Sequence, residues 1–270
     1  MNLFLCLNTL LMLTMPVFGG DLKVAYSGKT NIYSSQKLYD NPNSLYKTIP
    51  ILNYPDSRLK MRMLPLEELF AGQDLRGRKL KFSCLDGYSG VLDLTKALDS
   101  GSKAFVAIES KESPWPHLPK KSQKKPMSAG PFYLVWDKPK AGQVPPEYWP
   151  YQLKSLELLP LSQKPFAKIA PLKNLTADDP AHKGFDIFVA RCAPCHKMDG
   201  HGTSDIGPDL NRPMNPTEYF KADALKEFIR DPSSVREWND MKMKWVAEDS
   251  WSEGDIDQLI AYLSHMAKRK

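Results

Sequence analysis

The stretch Cys192-Ala193-Pro194-Cys195-His196 decides how the C-terminal part of this chain is interpreted. Two cysteines separated by two residues and followed at once by a histidine form the C-x-x-C-H pattern of covalent haem c attachment. The chemistry explains the spacing, because two thiols add across the two vinyl groups of one porphyrin and the adjacent imidazole becomes an axial ligand of the iron. Redox and zinc sites also use such patterns, so the surrounding residues must decide.

The residues around this pattern occur in an order typical of one family. Gly184 and Phe188 precede it, and it is followed by Gly207-Pro208-Asp209-Leu210, the segment 228–235 (Phe-Ile-Arg-Asp-Pro-Ser-Ser-Val), Met241 and Met243, and Tyr262-Leu263. Over residues 176–270 the chain therefore resembles a class I cytochrome c domain. The resemblance implies that Gly184 and Tyr262 let the first and last helices cross closely.

The resemblance also implies a ligand set. One haem c would be held covalently by Cys192 and Cys195, with His196 as the proximal axial ligand. In that family the proline of the Gly-Pro-x-Leu turn accepts a hydrogen bond from the proximal histidine ring through its carbonyl, a contact that orients the ring and tunes the iron. Pro208 would take that role here.

The distal ligand is less clearly marked. The family uses methionine, whose thioether raises the potential, usually within Met-Pro followed by an aromatic residue. This chain has Met241-Lys242-Met243-Lys244-Trp245, without the proline. Met243 lies nearest the family's spacing from the last helix, so His196 and Met243 are the predicted iron ligands. Met241, His182 and His265 remain alternatives, and either methionine could instead pack against the ring edge.

Residues 1–20 are predicted to be a signal peptide, because 3–17 is almost all apolar or small and Val17-Phe18-Gly19 suits a signal peptidase. The apolar run is short for a stable membrane span, although an uncleaved anchor is an alternative. Export to a periplasm agrees with the resemblance. Cys84 is then left without a disulfide partner in the mature chain. It is either a small buried apolar residue or a metal ligand.

The composition predicts a partner of opposite charge. The chain has 37 Lys and Arg against 31 Asp and Glu, a net charge of +6. This charge suits docking on a redox protein with an acidic surface. No basic motif is interleaved with aromatic residues, so no nucleic-acid binding is expected. A dense cluster of lysines marks a solvated loop or a docking surface: Lys120, Lys121, Lys124 and Lys125.

The predicted fold class is multidomain, with an N-terminal β-rich α+β domain over 21–160 and an all-α cytochrome c domain over 179–270. The proline- and lysine-containing residues 161–178 are predicted to be the linker. Strands are predicted at 79–84, 90–94, 104–108, 131–136 and 153–159, and short helices at 63–70 and 94–98. Longer helices are predicted from Pro180 to about 191, at 222–230, and from Ser252, where Asp255 completes a capping pair.

A second, weaker resemblance concerns residues 60–160. Leu-Pro-Leu-Glu-Glu-Leu (64–69), Phe-Ser-Cys-Leu-Asp-Gly-Tyr-Ser-Gly (82–90) and Gly-Pro-Phe-Tyr-Leu-Val (130–135) are similar to part of the sulfite-oxidase-like molybdopterin-binding fold. In that family the molybdenum-ligating cysteine comes well before the Asp-Gly-Tyr-Ser strand, whereas Cys84 immediately precedes it here. The departure favours a degenerate docking domain without molybdopterin. Asp86-Gly87 can also be read simply as a tight turn.

The sequence therefore predicts a periplasmic monohaem c-type cytochrome that transfers single electrons between redox partners and uses its N-terminal domain for docking. No catalytic residue is assigned, and an electron carrier is favoured over a catalyst. One alternative is a fused molybdenum oxidoreductase of a small oxyanion that passes electrons to its own haem through a metal-ligating Cys84. Another is a haem-based sensor with a labile distal ligand.

Overall fold

The computed structural model describes residues 19–55, 59–118, 126–237, 241, 243 and 251–269. A β-rich N-terminal part, the β region (residues 19–158), is followed by a helical part, the helical region (residues 159–269), as predicted. The strands are β1 (Asp21–Tyr26), β2 (Lys29–Ser34), β3 (Leu45–Thr48), β4 (Lys60–Pro65), β5 (Lys79–Cys84), β6 (Ser89–Asp93), β7 (Ala104–Ile108), β8 (Phe132–Trp136) and β9 (Leu153–Leu158). The helices are α1 (Ser35–Tyr39), α2 (Thr95–Asp99), α3 (Pro180–Ile187), α4 (Pro216–Tyr219), α5 (Ala222–Arg230), α6 (Pro232–Val235) and α7 (Glu253–Ala267).

Two sheets share one hydrophobic core in the β region. The first has the strand order β2-β1-β9-β5-β6, in which β1 and β9 run parallel and the other neighbours antiparallel. The second has the order β3-β4-β7-β8 and is antiparallel throughout. β7 and β8 are buried along their whole length, which explains why they read in the sequence as continuous apolar runs.

The turn between β5 and β6 fixes the shape of a hairpin whose residues Ser89 and Gly90, just after the turn, contact the helical region. Gly87 has a φ of +90°, a left-handed conformation that glycine adopts without a steric cost. The Asp86 side chain accepts a hydrogen bond from the Tyr88 N–H at 2.9 Å, and Cys84 N–H donates to the Tyr88 carbonyl at 2.8 Å. The tight turn expected at Asp86-Gly87 is confirmed.

The short helix predicted over 63–70 is wrong in its first part. Residues 63–65 belong to β4, and only Leu66–Phe70 turns, as a 3-10 helix. Pro65 gives the physical reason, since a proline disfavours helical backbone in the residue before it and keeps Leu64 extended. The apolar side chains Leu66, Leu69 and Phe70 still face the core, as expected.

The helical region follows its capping signals closely. Asp179 caps α3 by accepting from the Ala181 N–H at 2.9 Å. Ser252 and Asp255 form a capping box at the start of α7. Helix α3 ends earlier than predicted, at Ile187, and the chain continues as a single π-helical turn over Phe188–Cys192. Wider turns of this kind often occur at functional sites.

The first and last helices cross closely, as the resemblance implied. A Cβ built on Gly184 would lie 2.7 Å from the backbone carbonyl carbon of Gln258 and 2.7 Å from Cβ of Tyr262. Tyr262 is fully buried, with its ring 5.4 Å from that of Phe188 between centroids. The absence of a side chain at Gly184 therefore allows α3 and α7 to pack against each other.

The segment predicted as a linker, residues 161–178, packs against helix α7 and the residues that follow it. Phe166 and Ile169 are buried in the core of the helical region. The Tyr262 hydroxyl donates to the Ile169 carbonyl at 2.8 Å, and the Arg269 guanidinium donates to the carbonyl of Lys168 at 3.0 Å. The domain boundaries themselves stay predictions. Within the residues described, no helix is long and apolar enough to cross a membrane.

Candidate haem attachment site

The two cysteines and the histidine lie on a turn that follows the π-helical residues. The N–H groups of Cys195 and His196 both donate to the Cys192 carbonyl, at 2.9 and 2.8 Å. Cys192 and Cys195 are half-buried and are not joined in a disulfide. This turn, residues 192–196, is called the attachment turn below. Its backbone places both thiols and the imidazole at the C-terminal end of one short helical segment.

A second loop holds the His196 ring. Its Nδ1 lies 2.8 Å from the Pro208 carbonyl oxygen. Donation from Nδ1–H leaves the lone pair on Nε2, the atom that an axial ligand presents to iron. A Cβ on Gly207 would lie 2.6 Å from Nδ1 and 2.9 Å from Nε2, so the ring packs directly on the glycine backbone. The Gly207 N–H also donates to the Cys195 carbonyl at 2.8 Å.

The protonation states of the turn are set mainly by burial. Burial lowers the pKa of His196, although the Pro208 carbonyl and Asp209 oppose it, so the neutral imidazole that binds iron is favoured. Burial, with smaller contributions from nearby Glu147 and Cys195, raises the pKa of Cys192 to about 12. The Cys192 thiol is therefore protonated at neutral pH.

Asp209, to which the sequence analysis gave no role, anchors the Pro208 loop. Its carboxylate accepts four backbone N–H groups, from Asp199 at 3.0 Å, Gly200 at 2.6 Å, Asn211 at 2.7 Å and Arg212 at 3.1 Å. Burial would raise its pKa, but these four donors hold it below its usual value. The only sequence signal was an Asp just after a turn proline, a residue type that commonly accepts nearby backbone N–H groups.

Two buried asparagines connect the same loop to α7. The Asn211 amide donates to the Met266 carbonyl at 3.2 Å, and the Asn215 amide donates to the Leu263 carbonyl at 3.0 Å. Asn215 also donates to the Asn211 side-chain oxygen at 3.0 Å. The loop that carries Pro208 is thereby fixed to the last helix, and through Pro208 so is the ring of His196.

The predicted site residues are partly brought together. Cys192, Cys195, His196 and Pro208 meet at one place, and their donor set of two thiols and a ring-oriented neutral imidazole fits haem c. Met241 and Met243 are both half-buried, while residues 242 and 244–250 lie outside those described. The distal ligand thus stays a prediction. Of the alternatives, His265 accepts at Nε2 from the Leu172 N–H at 3.3 Å, on the last turn of α7.

Residues on both sides of the attachment turn also contact the β region, and no local sequence pattern predicts these contacts. Ser89 Oγ donates to the Thr203 carbonyl at 2.6 Å, and Thr203 Oγ1 donates back to the Ser89 carbonyl at 3.2 Å. Arg191 Nη1 lies 3.4 Å from Glu147 Oε2, with side chains 17% and 23% exposed. The Arg191 guanidinium stacks 5.3 Å above the Trp251 ring.

Cys84 lies apart from these groups in the core of the β region. It is 4% exposed, and burial raises the pKa of its thiol far above the usual range. Burial of this kind is typical of a cysteine that packs as a small apolar side chain. Among the residues described, no group of three or more His, Cys, Asp or Glu could hold a metal ion.

The four cluster lysines at 120, 121, 124 and 125 lie outside the described residues, as do residues 1–18 of the predicted signal peptide. Residues 181–267 match the family model for cytochrome c. No curated protein matches the chain. The match supports a c-type cytochrome domain in the C-terminal part of the chain, and its range includes both cysteines and His196.

Proposed function

We propose that this chain is a periplasmic monohaem c-type cytochrome that transfers single electrons between redox partners. The observation that carries the proposal is the 2.8 Å contact between His196 Nδ1 and the Pro208 carbonyl, directly after the paired thiols of Cys192 and Cys195. That contact fixes the tautomer and orientation of the imidazole as a metal ligand, and its combination with two thiols in the C-x-x-C-H spacing supports haem c.

Each residue has a distinct part in the proposed site. Cys192 and Cys195 would hold haem c through thioether bonds, and His196 and Met243 would fill the two axial positions. The bound haem supplies a one-electron ferric–ferrous couple. With both axial positions occupied by protein, the site suits outer-sphere transfer. The helical packing of Phe188 and Tyr262, both fully buried, excludes water from the interior beside the turn.

The partner is proposed to be a redox protein with an acidic docking surface. The net charge of +6 supports this, because complementary charge speeds encounter between redox proteins. We further propose export by residues 1–20, since haem c is attached outside the cytoplasm. The β region would take part in docking and hold no molybdopterin.

The test is metal and haem content per chain on protein matured in a periplasm. One equivalent of iron, haem that stays bound after denaturation, and no molybdenum are expected. Cys192→Ala with Cys195→Ala should abolish covalent haem, whereas the matched control Cys84→Ala should retain it. Stoichiometric molybdenum that is lost in the Cys84 variant would instead establish the fused molybdenum oxidoreductase and overturn the carrier proposal.

A further inference from the structure

The end of the β5–β6 hairpin meets the loop that follows the attachment turn. Ser89, the first residue of β6, is 7% exposed and exchanges two hydrogen bonds with Thr203, at 2.6 and 3.2 Å. In the sequence, Thr203 lies between His196, the proposed proximal ligand, and Gly207, which packs on the His196 ring. A reciprocal pair of this kind fixes the distance and the orientation of the two backbones, because each residue acts as donor and acceptor.

Gly90, the next residue, allows the turn itself to approach the sheet. A Cβ at this position would lie 2.9 Å from Cε1 of the buried Phe82 and 3.3 Å from Cγ of Pro194. Pro194 stands between the two cysteines of the attachment turn. The backbone of β6 therefore packs on the C-x-x-C-H turn without an intervening side chain.

Tyr88, the residue before Ser89, is held in place by contacts within the β region. Its hydroxyl donates to the Glu147 carbonyl at 3.3 Å, and its ring lies 5.2 Å from the Phe82 ring between centroids. Burial raises the pKa of the Tyr88 hydroxyl, and the Cys195 thiol adds to this effect. Arg191, which precedes Cys192, pairs with the Glu147 carboxylate. Arg191 and Pro194, which are sequence neighbours of the two cysteines, thus both contact the β region.

We propose that residues 88–90 of the hairpin are a positioning element that packs on the attachment turn and raises the midpoint potential of the haem. The proposal rests on haem c being bound at Cys192 and Cys195. Its physical basis is that Gly90, packed on Pro194, and Ser89, bonded to Thr203, would reduce the access of water to the half-buried cysteines. A less polar surrounding disfavours ferric haem, which carries one more positive charge than ferrous haem.

The test uses the full-length holoprotein and the variants Ser89→Ala, Thr203→Val and their combination. Thr203→Ser keeps the hydroxyl and serves as the conservative variant. Ser44→Ala is the matched control, because Ser44 is 5% exposed and donates to the Leu38 carbonyl at 2.7 Å within the β region. Three quantities are measured: haem per chain, midpoint potential by redox titration, and amide hydrogen exchange of residues 193–207.

Ser89→Ala and Thr203→Val should keep full haem, lower the potential and speed exchange in residues 193–207. The double variant should shift the potential further than either single change, since each substitution removes a different one of the two hydrogen bonds. Thr203→Ser and Ser44→Ala should match the wild type. Full haem with unchanged potential and exchange in both single variants would overturn the positioning role. Absence of covalent haem from the wild type would overturn the proposed function instead.

Discussion

The crossing of α3 and α7 makes a quantitative prediction for Gly184→Ala. Alanine gains about 1 kcal/mol over glycine in a helix interior, so propensity alone would stabilise the variant. The new Cβ, however, would lie 2.7 Å from both the Gln258 carbonyl carbon and Tyr262 Cβ, about 0.8 Å short of an ordinary carbon contact. Both neighbours belong to a rigid helix, and the Gln258 carbonyl oxygen is closer still. Overpacking of this severity costs about 3 kcal/mol, at the upper end of the usual range.

The free energy of unfolding should therefore fall by about 2 kcal/mol. If this free energy changes by about 2 kcal/mol per M of urea, the urea midpoint should fall by about 1 M. The assay is urea unfolding of the holoprotein, followed by far-UV circular dichroism. Gly254→Ala is the matched control, because its nearest atom is Ser252 Oγ at 3.6 Å and it lies in the exposed first turn of α7. The control should be neutral or slightly stabilising. Wild-type or greater stability in Gly184→Ala would refute the close crossing.

Three further predictions concern the site. Met243→Ala should abolish the sulfur-to-iron absorption band of the ferric protein while Met241→Ala preserves it, and the reverse result would reassign the ligand. Gly207→Ala should reduce haem per chain, because a Cβ 2.6 Å from His196 Nδ1 displaces the ring; undiminished haem would contradict this packing. Asp209→Asn should cost about 1–3 kcal/mol of stability at neutral pH by weakening four charge-assisted hydrogen bonds. The folded state lowers the pKa of the Asp209 carboxyl, so the stability lost in Asp209→Asn should be greatest above the unfolded pKa of about 3.9. The difference in unfolding free energy between variant and wild type should disappear as pH falls through the folded pKa. A difference that does not change with pH would refute this role of the carboxylate.

The helices of the cytochrome domain could be predicted from sequence because their signals are local. Helix α5 ends at Arg230, before the Asp231-Pro232 start of α6, and the Ser252–Asp255 pair marks the start of α7. The π-helical residues Phe188–Cys192 carried no comparable signal, since their apolar spacing also suits a regular helix. The attachment turn could be predicted because covalent haem attachment requires two cysteines and a histidine within five consecutive residues.

The β region was predicted less completely because its pairing is not local. The β1–β2 hairpin turns at Ser27-Gly28, with φ values of 49° and 74°. Ser-Gly is a dipeptide that marks turns, but the many polar residues around it make this one turn signal hard to distinguish. No sequence pattern in β1 or in β9 predicts that these two strands pair with each other. Contacts such as Ser89 with Thr203 use short polar side chains that occur throughout the sequence, so only the fold reveals them.

The parallel pairing of β1 with β9 has a kinetic consequence. Lys23 is opposite Ser155, a separation of 155 − 23 = 132 residues, whereas α3 meets α7 with Gly184 near Gln258, a separation of 258 − 184 = 74. Sheets closed by distant segments form slowly, because the chain entropy is lost before the pairing is gained. We expect the helical region to order first during folding. In that order the two thiols would remain uncovered for the proposed haem attachment until β6 forms and Gly90 packs on Pro194.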